Sequence, residues 1–110
     1  MTRVHHGPPS LTVLDCGWLI TQERTLLSGG STEPLRIPVP AWLIRHHAGD
    51  VVFDTGLHPD LVEGPGALGR LAQVFTPELH PGGTIGPRLA DHDVDPTGAL
   101  TVVLSHCHFD

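Results

Sequence analysis

Leu100-Thr101-Val102-Val103-Leu104-Ser105-His106-Cys107-His108-Phe109-Asp110 joins an apolar, β-branched run to polar residues spaced two apart. The run from Leu100 to Leu104 predicts a short strand buried on both faces, as in a sheet covered by other layers. Along extended backbone the side chains alternate. His106, His108 and Asp110 then share one side, and Cys107 and Phe109 take the other. Two neutral imidazoles and a carboxylate converging at a strand end suit a borderline cation such as zinc. With nine His in 110 residues, His-x-His-x-Asp arises by chance about 0.05 times per chain. The plain alternative is a pair of exposed loop histidines and an acid. Position at the mouth of a strand, more than spacing, favours the metal reading.

Composition narrows the function classes. The chain has room for one small domain or part of a larger one. Its formal charge is −6 and its six Lys and Arg are scattered, with no basic stripe to grip nucleic acid. Acidity of this size serves solubility. Thirteen Gly and eleven Pro predict long, ordered loops rather than disorder. Cys16 and Cys107 do not make a disulfide framework, and alternation makes Cys107 a packed thiol rather than a ligand. No apolar run approaches membrane-spanning length, and Met1–Pro9 holds no signal-like apolar region. The expectation is a cytoplasmic protein with no membrane partner.

Upstream, residues 1–10 read as a flexible lead-in carrying a solvated His5-His6 pair. Residues 11–20 predict a first strand with Gly17 as a bulge, followed by a polar, Gly-rich loop over 21–36. Residues 37–47 predict a second strand, Ala48-Gly49-Asp50 a hairpin turn, and Val51–Gly56 a third strand. Asp54 closes this third strand after Val51-Val52-Phe53, where an unpartnered carboxylate is costly. It reads either as ordinary Asp-Thr-Gly turn chemistry or as a carboxylate that orients a metal-binding imidazole. Residues 67–75 have helical spacing at Leu68, Leu71 and Phe75. Thr84 predicts an N-cap for a helix over 85–91, with Pro87 in its first turn. His46-His47 and His92 read as exposed polar positions.

Ser105–Asp110 resembles the first half of the His-x-His-x-Asp-His signature of the metallo-β-lactamase superfamily. Val51–Gly56 resembles that family's Asp-Thr-Gly strand end, and the order of elements between them matches. Within the superfamily, Ile37-Pro38-Val39-Pro40-Ala41-Trp42-Leu43-Ile44 ahead of Asp-Thr-Gly looks most like the N-acyl-homoserine lactonase group. The resemblance spans about residues 11–110. It implies an α/β chain forming the N-terminal half of an αββα sandwich, mostly antiparallel or mixed sheet with flanking helices, as a single incomplete domain. His106 and His108 would ligate a first metal and Asp110 a second, Asp110 also helping to hold the nucleophile. Asp54 would stand behind the ligands. Two Zn2+ per complete parent domain, or other divalent metals, would generate hydroxide to attack a small-molecule lactone or related acyl ester. The pattern departs from the family in lacking the signature's final His and any Tyr. The 110 residues thus read as an N-terminal fragment, inactive alone, of a quorum-quenching lactonase-like hydrolase. A thioesterase of the glyoxalase II type and an inactive metal-chelating remnant are the alternatives. An amidohydrolase-type barrel ranks lower, because three strand candidates precede His106.

Overall fold

Ser10–Gln22 forms β1, a strand long enough to face two hydrophobic clusters because a bulge resets its alternation. The computed structural model describes residues 6–98 and 100–106. Before the bulge, Leu14 and Cys16 point into the core; after it, Leu19 and Thr21 do. The register against β2 (Pro34–Arg45) runs from Asp15↔Pro40 to Trp18↔Pro38, one extra residue on β1. Gly17 absorbs it at φ +114, where a Cβ would meet Leu57 Cδ1 at 2.7 Å. The sequence thus located the bulge, and the structure supplies its purpose. Without a one-residue reset, Leu19 would turn away from the core.

β3 (Val51–Phe53) pairs antiparallel with β2, and β5 (Thr101–Val103) pairs parallel with β3. β4 (Thr76–Glu78) lies on the other edge, giving the order β4-β1-β2-β3-β5. The result is the mixed α/β sheet expected. Helices cover one face. Leu14, Cys16, Ala41, Leu43 and Val52 pack there against Leu89 and Val94, while Leu19 and Val39 pack against Leu57, Leu61 and Leu68.

Several elements differ from the sequence reading. The expected loop over 21–36 is shorter: β1 and β2 stay paired to Gln22↔Pro34, and a short α1 (Glu23–Leu26) turns the chain. Pairing runs on through Ile20↔Arg36 and Thr21↔Leu35, and Gly29 and Gly30 are left to the turn between the strands. The expected helix over 67–75 is a 3₁₀ segment, Pro65–Gln73, broken at Gly69 with φ 60 and ψ −127. Gly64, Pro65, Gly66 and Gly69 together prevent a continuous α-helix. β4 follows, unforeseen because Pro77 argues against a strand; it sits on an edge, where a missing donor is tolerated. α2 (Ile85–Ala90) forms where expected, Pro87 in its first turn and Leu89 buried. Thr84 does not cap it by side chain; its hydroxyl donates to the Pro81 carbonyl at 3.2 Å.

The clearest correction concerns β5. It is not buried on both faces: Thr101 to Leu104 are all exposed, Val103 at 40%. Burial of a parallel strand needs a neighbour on each side and a layer on each face. β5 has β3 on one side and, among the described residues, no strand on the other.

Candidate metal-site scaffold

The parallel pairing of β3 and β5 brings two chain segments about fifty residues apart to one sheet end. There the Asp54 backbone N–H donates to the Val103 carbonyl at 2.8 Å, extending the ladder by one bond. Asp54 then turns into the left-handed region at φ 63, one of two described non-glycine residues to do so. Aspartate enters that region more readily than bulky or β-branched residues. Gly56, at φ +71, passes so close to β1 that a Cβ would overlap Cys16 Cβ, and the Leu57 N–H bonds the Cys16 carbonyl at 3.2 Å. The glycine of Asp-Thr-Gly is therefore a close-approach residue that seats the Asp54 turn against the core.

The Asp54 carboxylate meets Ser105 twice over. The Ser105 backbone N–H donates to Oδ1 at 2.8 Å, and its hydroxyl lies 2.9 Å from Oδ1 and 2.7 Å from Oδ2. The Ser105 N–H is the main cause holding the Asp54 carboxyl below its ordinary value. Partial desolvation opposes it, and the Ser105 hydroxyl and nearby His106 add to it. Ser105 Oγ is in turn 2.8 Å from His106 Nδ1. A hydroxyl has one proton, and an ionised carboxylate only accepts. The hydroxyl therefore donates to Asp54 and accepts from Nδ1–H, which places the lone pair of a neutral His106 on Nε2. That is the tautomer a metal-binding imidazole needs when its other nitrogen is held from behind.

Of the predicted site residues, the structure places Asp54 and His106 together, joined through Ser105. Cys107, His108, Phe109 and Asp110 lie outside the described residues, so two of the three expected ligands do too. Among the described residues no group of three or more His, Cys, Asp and Glu could hold a metal. Of the three expected ligands His106 alone is described, and its Nδ1 lies 2.8 Å from the Ser105 hydroxyl, an arrangement that would fit a divalent cation at Nε2. Asp54 sits in a turn, and its carboxylate reaches across the sheet to Ser105 rather than to its own loop. Ser105 is the residue sequence reasoning missed. Its signal was there: a short hydroxyl side chain directly before the first motif histidine.

No protein-family profile matches the chain. Two curated proteins, the N-acyl homoserine lactonases AiiB of Rhizobium rhizogenes and of Agrobacterium fabrum, are each 31% identical over 91% of this chain. The chain spans about 40% of their length. A solved N-acyl homoserine lactone hydrolase, with N-hexanoyl-L-homoserine at its catalytic metal centre, superposes with a TM-score of 0.80 at 22% identity. A Bacillus thuringiensis AiiA variant with N-decanoyl-L-homoserine at its active site gives 0.80 at 21%. Both matches cover 91% of this chain and 41% of the other. The chain has the N-terminal part of the lactonase fold. That shared fold accounts for the mixed sheet and for the one-sided helix layer. Among the described residues no helix is long and apolar enough to cross a membrane.

Proposed function

We propose that this chain carries the N-terminal share of the metal centre of a hydrolase that opens lactones, with N-acyl homoserine lactones as substrate class. One observation carries the reading: the Asp54–Ser105–His106 hydrogen-bond chain at the shared end of β3 and β5. Its support comes from the curated lactonases that the sequence matches. In this reading His106 and His108 hold one cation and Asp110 the other, zinc being the expected metal. Bound divalent cations supply an activated water near neutral pH and Lewis acidity toward the acyl carbonyl. The chain's own residues do the positioning. Asp54, kept ionised, accepts from Ser105; Ser105 fixes the His106 ring and its tautomer; Gly56 holds the Asp54 turn against β1. Three donors shared between two cations leave each short of the three protein ligands a catalytic zinc takes, so the 110 residues by themselves do not turn over substrate. A cytoplasmic, quorum-quenching role belongs to the same reading.

The test is a zinc titration of the 110-residue chain, followed by lactone assay. His106→Ala should abolish specific binding, and Ser105→Ala should weaken it about tenfold or more while leaving the fold intact. N-hexanoyl homoserine lactone should be hydrolysed when the chain is joined to the remaining length of a curated relative, and not by the chain alone. Turnover by the 110 residues alone, or zinc binding indifferent to His106→Ala, would overturn the proposal.

A further inference from the structure

Beside the β1 bulge a cleft of about 300 Å³ opens between β1, β4 and the segment leading into α2. Trp18, Arg36, Glu78, Leu79, His80 and Arg88 line it together with Asp15 and two glycines. We infer that this cleft is a binding site for a small organic carboxylate, with Arg88 as its anchor.

Charge in the cleft is unevenly matched. Arg36 lies over the Trp18 ring at 3.8 Å and pairs with both Glu78 oxygens at 3.2 and 3.3 Å, so its charge is answered. The Asp15 carboxylate accepts from the Gly17 N–H at 3.2 Å and from the Trp18 indole N–H at 3.3 Å. Arg88 is different. Its Nε donates to the Asp15 carbonyl at 2.7 Å, and no described carboxylate lies within ion-pair distance of it. That bond engages Nε and leaves the two terminal nitrogens of this cleft-lining side chain without a described carboxylate; such a nitrogen pair takes a carboxylate in bidentate fashion. Trp18 and Leu79 supply an apolar wall for the ligand's body. The His80 ring, seated over Gly83 where a Cβ would stand 3.2 Å from it, adds a polar rim. A wall of apolar surface with one oriented cation is the usual make-up of a small-molecule pocket. None of the lining residues belongs to the Asp54–Ser105–His106 chain, so the site stands whether or not the lactonase reading does.

The experiment is NMR titration of the full 110-residue chain with sodium hexanoate. It follows the Arg88 Nε–Hε and Trp18 indole signals, the latter assigned by Trp42→Phe. Saturable shifts of both are expected, with none from 1-hexanol at equal concentration. Arg88→Gln should weaken binding at least about tenfold, and Arg88→Lys should weaken it by less. Glu78→Gln, which releases Arg36, should tighten it, an outcome that misfolding cannot imitate. Equal shifts from hexanol, no saturation with hexanoate, or unchanged affinity in a folded Arg88→Gln chain would each overturn the site.

Discussion

Ser105 gives both its backbone N–H and its hydroxyl to the carboxylate of Asp54, at 2.8 and 2.7 Å, across fifty-one positions of sequence. That contact fastens the end of β5 to the end of β3. β5 has little else: it is exposed and three residues long. Replacing Asp54 by Asn keeps a residue that tolerates φ 63 and removes the charge, which should cost about 1 kcal/mol in this partly exposed setting. Asp54→Val also forces a β-branched residue into the left-handed region and should cost about 2 kcal/mol more. Amide exchange at Ser105 reads the local effect and the melting midpoint the global one. Unchanged Ser105 protection in both variants would show that the contact does not hold the strand.

A second consequence lies on the face of the sheet away from the helices. Val13, Trp42, Phe53 and Val103 are direct cross-strand partners and form one apolar row; Leu11, Ile44 and Val51 form the next. Leu11 and Val13 are 63% and 57% exposed. The isolated chain should bind a hydrophobic dye and self-associate, and Trp42→Lys should reduce both. Dye fluorescence equal to that of a fully covered globular protein would count against an open face.

The Gly56 position allows little. Alanine there must occupy Cys16 Cβ space at φ +71, so Gly56→Ala should destabilise by about 3 kcal/mol or more. Gly49 has φ +139, and a Cβ added there would meet nothing within 4 Å. Only backbone strain opposes a side chain at that turn, so Gly49→Ala should cost about 1 kcal/mol. Chemical denaturation of the two variants side by side separates crowding from strain; similar losses would remove the close-approach argument.

Burial pushes the Cys16 thiol up from 9.0 to about 11, with Arg88 opposing the rise. The unfolded chain ionises this thiol near pH 9.0 while the folded chain holds its proton to about 11. The folded state's advantage is therefore fully present below the unfolded value and falls as pH rises through the folded one. In a Cys107→Ser background Cys16 should react slowly with a thiol reagent at about pH 8 and rapidly once denatured. Fast native labelling would contradict its burial.

Local pattern was enough for the elements whose neighbours are near in sequence. Alternation in 37–47 and 51–56 around Ala48-Gly49-Asp50 specified a hairpin, and Gly17 within an apolar run marked a bulge. Thr84 and Pro87 marked the start of α2. Asp54 and His106 were legible as candidates because a carboxylate closing an apolar strand and a histidine opening a loop are each costly without a purpose. What no local pattern contains is which strands become neighbours. The parallel pairing of β3 with β5 decided that Asp54 meets Ser105 and, through the Ser105 hydroxyl, His106. The edge position of β4 made Pro77 acceptable, and the edge position of β5 exposed a run whose composition reads as buried. Burial belongs to the layers around a strand rather than to its residues, so Val102 and Val103 carry the same side chains whether or not anything covers them.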